Sequence, residues 1–275
     1  MKYTVPTLSI VFMAIVAIIG IAIPVFLFLF FRKKYKAAIS PFFIGCAIFI
    51  VFALIIEGVI NSTILASPLG AKIKDNIWLY GIFGGLMAGI FEETGRFTAF
   101  KTFLKKKLND NQNALMYGAG HGGFEAFLIL TVSMLNNLVV AVTLNMGMSG
   151  TLTSKITDPT QLAAMNNIFA TLAKTAPALF LLSVVERFAA VGLHIALSVL
   201  VWHAVKNSKK FWLFPLAIFL HAFVDAAAVI LNGSGFNVGL VLAAVYITTA
   251  ISIAIAVIVW RKNAAPPVVN EDLLT

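Results

Sequence analysis

Seven apolar runs, each about as long as the 20 residues a helix needs to cross a bilayer, decide what this chain can be. Turn residues and charges bound them at roughly 8–31, 41–60, 77–100, 114–140, 176–205, 211–231 and 238–260. Hydrophobic residues make up 60% of the sequence, charged residues 11%, and the mean hydropathy is +0.97, which excludes an ordinary soluble domain. The reading is all-α: a polytopic membrane protein whose residues 1–262 form one bundle of about seven transmembrane helices. Residues 263–275, Pro-rich and polar, read as a short disordered cytoplasmic tail. The first run has about twice the apolar length of a signal-peptide core and no small-residue cleavage site behind it, so it is expected to stay as a span. The lone cysteine, Cys46, falls in the second run, which leaves no disulfide within the chain.

Lys and Arg set the orientation, because cytoplasmic loops are enriched in them. One set of connections carries Arg32, Lys33, Lys34, Lys36, Lys101, Lys105, Lys106, Lys107, Lys206, Lys209, Lys210, Arg261 and Lys262, thirteen charges, while the other carries Lys2, Lys72, Lys74, Lys155 and Lys174, five. The N-terminus is therefore expected outside and the C-terminus inside, with the spans in contact with membrane lipids. The formal charge of +9 is divided among these loops and builds no basic domain with interleaved aromatics, so no nucleic-acid partner is expected. The longest outer connection, 143–175, contains an Asp-Pro helix start and suits a short interfacial helix.

Against this frame the ionisable residues within the spans stand out. Six of the 11 acidic residues lie there, Glu57, Glu92, Glu93, Glu125, Glu186 and Asp225, together with His121, His194 and His221, while His203 sits at a span's cytoplasmic boundary. A charge in a bilayer costs at least about 2–3 kcal/mol unless it is paired or hydrated, so such residues usually mark a working site. At a rise of about 1.5 Å per residue, Glu92, Glu93, His121, His194 and His221 all lie roughly 12–15 Å from the cytoplasmic ends of their helices, one common layer. Glu92 and Arg96, His121 and Glu125, and His221 and Asp225 are spaced i,i+4 and share faces, as do Arg187 and His194 at i,i+7. Gly81, Gly85 and Gly89 form a small-residue stripe that Glu93 continues, directing that glutamate into a helix interface. The run YGAGHGGFEA at 117–126 suits either close packing or a local loosening of its helix. It lacks the strand and spacing of a dinucleotide fingerprint.

Imidazoles and carboxylates gathered at one depth are the donor set of a divalent metal, zinc above all, with one position left for water. A neighbouring glutamate can deprotonate that water for attack on a peptide carbonyl. Arg96 and Arg187 can hold carboxylates or steady a developing oxyanion. The H-E-x-x-H pattern of soluble zinc proteases is absent. Glu57 reads as a local hydrogen-bonding residue and His203 as an interfacial histidine. Glu186 reads as a partner of Arg187 or as half of an outer ion pair.

The motif EETGR at 92–96 resembles the EExxR motif of CAAX-processing, bacteriocin-processing and PrsW-type membrane proteases. With GHGGFEA at 120–126, ERFAAVGLH at 186–194 and HAFVD at 221–225, the pattern resembles the bacterial YhfC branch of that superfamily, described as intramembrane metalloproteases. The resemblance implies an intramembrane metal-dependent peptidase acting on membrane-associated protein or peptide substrates in a bacterial plasma membrane. It makes Glu92 the residue that activates water, beside Glu93, Arg96 and Arg187, and gathers His121, Glu125, His194, His221 and Asp225 as candidate metal-site residues. The superfamily is also similar to the Aph subunit of gamma-secretase, a seven-helix scaffold. A noncatalytic assembly subunit and an ion-coupled transporter are therefore the competing readings, although no duplicated hydropathy halves favour the transporter.

Overall fold

The computed structural model describes residues 3–263; the expected tail from 264 onward lies outside the described residues. Helix α1 (Thr7–Tyr35) ends where Lys36 turns left-handed at φ 56°, and the Ala37 amide reaches back 3.3 Å to the Phe31 carbonyl to close it. Helix α2 (Ser40–Leu65) has π-helical geometry over Phe49–Glu57. The short α3 (Pro68–Lys74) leads to α4 (Ile77–Lys101), whose first turn is capped by the Asn76 side chain accepting from the Trp78 and Leu79 amides. Helix α5 (Gln112–Asn145) includes a second π-helical stretch, Phe127–Val132. Beyond α6 (Ser149–Thr153), Asp158 caps α7 (Pro159–Lys174) by accepting from the Thr160 amide at 2.6 Å, with Pro159 at the first helical position. This is the Asp-Pro start read from the sequence. Helices α8 (Pro177–Lys206), α9 (Leu213–Gly233) and α10 (Val238–Lys262) complete the bundle.

No strand occurs among the described residues. Six helices, α1, α2, α5, α8, α9 and α10, are long and apolar enough to cross a membrane, so the chain is an all-α polytopic membrane protein. The seventh long helix, the 25-residue α4, is the one that carries Glu92, Glu93 and Arg96. Helix α8 is the axis of the bundle, with 72% of its apolar window buried against at most 33% in the other five. The Lys- and Arg-rich connections meet at one end. There the Ala38 amide donates to Asn113 Oδ1 at 2.9 Å, Lys206 Nζ to Asn111 Oδ1 at 3.0 Å and Asn111 Nδ2 to the Asn263 carbonyl at 3.4 Å. At the other end the Asn145 side chain pairs with both backbone groups of Val5, at 2.8 and 2.9 Å.

The glycine stripe of α4 lies against the backbone of α9. A Cβ on Gly85 would come within 2.3 Å of the Ala222 carbonyl oxygen, whereas one on Gly84 would meet nothing within 4 Å. Gly85→Leu is therefore expected to force the two helices apart, an overpacking cost of about 1–3 kcal/mol or more, and to lower the thermal unfolding midpoint in detergent. Gly84→Leu should melt like the parent. Equal melting of the two variants would show that the close crossing is not needed for stability.

Candidate metal centre

Adjacent residues on a helix diverge by about 100°, so the dipeptide Glu92-Glu93 addresses two different neighbours. Glu93, on the glycine face of α4, turns to α9, where its Oε1 lies 2.9 Å from His221 Nδ1. The same oxygen pairs with Arg96 Nη1, one turn further along α4. Glu92 turns to α5, its Oε2 lying 2.8 Å from His121 Nε2 and 3.9 Å from His194 Nδ1. Arg96, at 0% exposure, then links α4 to α8 by donating from Nη2 to His194 Nδ1 at 3.2 Å.

These contacts fix where the imidazole lone pairs lie. Arginine can only donate, so in neutral His194 the lone pair is on Nδ1, the nitrogen nearer Glu92. Nε2 carries the proton and lies 2.5 Å from Glu125 Oε2. A carboxylate accepts, so in neutral His221 the proton is on Nδ1, toward Glu93, and Nε2 is left with the lone pair. Asp225, one turn further along α9, places Oδ2 3.5 Å from that Nε2. Carboxylates that hold one nitrogen of a histidine and thereby present the other are the usual outer partners of metal-binding imidazoles.

Close approach of α5 to α8 makes this possible. A Cβ on Gly122 would come within 2.9 Å of His194 Cβ, and α5 stays α-helical from Gln112 to Ala126. The glycines of YGAGHGGFEA thus serve close packing, and the π-helical stretch begins only beyond them. On α8, one face carries both His194 and Arg187. Arg187 Nη1 lies 2.5 Å from Glu125 Oε1, and its other nitrogens pair with Glu186.

The nine residues singled out in the sequence as site candidates form one connected network across α4, α5, α8 and α9, its two halves joined by the Arg96–His194 contact. Within it, the donor atoms of Glu92, His194 and His221 all lie within 4.8 Å of one another. A cavity of about 50 Å³, room for a water or two, is bordered by these three residues, Glu125, Asp225, Arg187 and Glu186. His121 does not border it; it stands behind Glu92, and its Nδ1 has no hydrogen-bond partner among the described residues. Glu93 and Arg96 also stand behind the cavity wall. Glu186 was not among the nine, and the Glu-Arg dipeptide at 186–187 is its sequence signal. Glu57 accepts from Asn61 Nδ2 at 3.0 Å, the local bond its position suggested.

Two imidazoles and one carboxylate are the protein ligands of known hydrolytic zinc sites, whose ligand atoms at bond lengths near 2.1 Å stand about 3.4 Å apart. The donors here lie up to 4.8 Å apart, more open than that, and they fit a divalent ion once His194 Nδ1 exchanges its hydrogen bond from Arg96 for the ion. Residues 19–247 match the YhfC intramembrane metalloprotease family. The chain belongs to this family. It is also 36% identical to the uncharacterized membrane protein YhfC of Bacillus subtilis (strain 168) over 224 residues, 81% of this chain and 84% of that relative. No solved structure matches. The YhfC match runs from within α1 to within α10, so it spans every helix that contributes to the cavity, and the chain is a multi-pass protein of the cell membrane.

Proposed function

We propose that this protein is a metal-dependent peptidase that hydrolyses peptide bonds of membrane-associated substrates, with Glu92, His194 and His221 holding the ion. The observation that carries the reading is the convergence of these three donors within 4.8 Å on a small cavity among buried helices. A divalent ion bound there supplies Lewis acidity, polarising a carbonyl and making water nucleophilic near neutral pH. The residues of the chain do the rest. Glu93 accepts the Nδ1 proton of His221 and keeps its ring turned; Glu125, fixed by Arg187, places its carboxylate beside Nε2 of His194. His121 donates from Nε2 to Glu92 and fixes the carboxylate.

Asp225 Oδ2 takes the proton of the attacking water and passes it to the departing amine. Its position 3.5 Å from His221 Nε2 and the 40% exposure of its side chain favour it over Glu125, whose Oε1 is committed to Arg187. The guanidinium of Arg187 borders the cavity and steadies the oxyanion, whereas Arg96, wholly buried, positions Glu93 and His194. Water-activating duty, which the motif resemblance assigns to Glu92, thus moves to Asp225.

Metal analysis tests this reading. The purified protein is expected to carry close to one zinc or similar divalent ion per chain, and the His194→Ala, His221→Ala double variant close to none. Equal metal content in the two would favour an assembly subunit that uses the buried charges as structural ion pairs. The orientation is tested separately by labelling single cysteines introduced in place of Lys34, Lys105, Lys209, Lys72 and Lys155. The first three should react only from the cytoplasm and the last two only from outside, following the positive-inside bias. Labelling of positions 72 and 105 from the same side would remove α4 from the membrane and with it the proposed site.

A further inference from the structure

A second polar cavity lies at the Lys-rich end of the bundle. It measures about 320 Å³ and opens between the last turn of α8, the turn that follows it and the end of α10, lined by His203, Lys206, Asn207, Ser208 and Asn263. His203 is nine residues beyond His194 on α8, about 14 Å along the axis, so this pocket is separate from the metal centre. None of its five lining residues is acidic; they offer an ammonium group, an imidazole, two amides and a hydroxyl.

Two features set it apart from an ordinary cationic loop. His203 is 2% exposed, yet its Nε2 has no hydrogen-bond partner among the described residues. Buried polar atoms are nearly always paired, and the exceptions call for an explanation such as a bound group. The lysines, moreover, are held in place by neutral oxygens. Lys206 Nζ lies 3.0 Å from Asn111 Oδ1 and 3.5 Å from the Asn109 carbonyl, and Lys210 Nζ pairs with Asn263 Oδ1. Their positions are thereby fixed while their charge stays uncompensated by any carboxylate among the described residues. Fixed cationic donors, a hydroxyl and an unpaired imidazole nitrogen around one cavity are the complement of a tetrahedral oxyanion.

We propose that this pocket binds a phosphate group, carried by a phospholipid headgroup or free in solution. The pocket sits at the end of a membrane-spanning helix, the level at which headgroup phosphates lie and basic residues meet anionic lipid. Its volume exceeds what a phosphate ion needs and leaves room for the atoms esterified to it. His203 and Lys206, one turn apart on α8, supply two of the contacts, and Ser208 supplies a third.

The test uses the full-length protein in two settings. In a zwitterionic detergent it is titrated with inorganic phosphate. In nanodiscs of phosphatidylcholine it is compared with and without phosphatidylglycerol, with binding read from the thermal unfolding midpoint and from native mass spectrometry of retained lipid. His203→Gln and Lys206→Ala are each expected to weaken binding by about tenfold or more, since each removes a charged or buried contact. Lys33→Ala, Lys34→Ala, which removes more charge from the last turn of α1, should change it by less than about twofold. Stabilisation by inorganic phosphate identifies the free ion as sufficient; stabilisation by phosphatidylglycerol alone identifies the headgroup. The proposal fails if neither probe binds, or if the Lys33, Lys34 variant loses as much affinity as Lys206→Ala, since diffuse surface charge would then explain the binding. Should His203→Gln not fold, the exposed Lys206 carries the comparison by itself.

Discussion

Glu92→Gln is expected to leave the protein folded, to strip most of the metal from it and to lower peptide cleavage by about a hundredfold or more. The substitution keeps the size of the side chain and an oxygen that can accept from His121 Nε2, now at 2.8 Å, so the contact between α4 and α5 survives. What it removes is the negative charge nearest the lone pair of His194, 3.9 Å away, and one of three donors converging within 4.8 Å. Loss even of an outer partner of a metal ligand typically costs about 10–100-fold in affinity or activity, and a ligand should cost at least as much. Metal content, melting temperature and cleavage of a membrane peptide substrate are measured on the same preparation. If the variant keeps a full complement of metal and loses only cleavage, Glu92 is the base that the EExxR resemblance implies, and the ion is held by other residues. If it cleaves like the parent, the buried carboxylate is structural.

The arrangement of Glu92 and its neighbours was only half legible in the sequence. Six of the seven apolar runs return as helices long and apolar enough to cross a membrane, because length and hydropathy are local properties; the run at 77–100 returns as the long helix α4, which is not among those six. The Gly81, Gly85, Gly89 stripe likewise points Glu93 into an interface, since small residues mark where backbones meet. Helical phase also puts His221 and Asp225 on one face, and their side chains do meet at 3.5 Å. The same i,i+4 spacing misleads for His121 and Glu125. They share a face of α5, yet His121 turns to Glu92 on α4 while Glu125 turns to His194 and Arg187 on α8. Phase tells which way a side chain leaves its own helix; which neighbour receives it depends on helix order and crossing, which no local pattern encodes. For the same reason the common depth of three histidines could not say which of them border the cavity. The π-helical stretches at Phe49–Glu57 and Phe127–Val132 contain neither glycine nor proline to announce them.

Asp225→Asn should give the opposite signature to Glu92→Gln: metal retained, cleavage reduced by about a hundredfold, in the range of about 10²–10⁴ expected for losing a general base. Asparagine is isosteric and keeps one oxygen near His221, so the α9 backbone and the ring position are undisturbed. The fold has little reason to resist the change, because Asp225 is the most open carboxylate of the cluster, at 40% side-chain exposure against 17% for Glu125 and 9% for Glu92. That openness is also what a proton acceptor needs, since it must return its proton to the leaving amine or to water at each turnover. Glu125→Gln is the informative comparison. It would free Arg187 and loosen His194, whose Nε2 stands 2.5 Å from Glu125 Oε2, and so should weaken metal binding together with cleavage. If Asp225→Asn instead loses its metal, Asp225 is a ligand and the base must be sought at Glu92 or Glu125. If it cleaves at the parent rate with metal bound, no proton passes through Oδ2. The paired outcomes for Glu92→Gln and Asp225→Asn therefore separate ligand from base: the ligand variant loses its ion together with activity, and the base variant loses activity with the ion still in place.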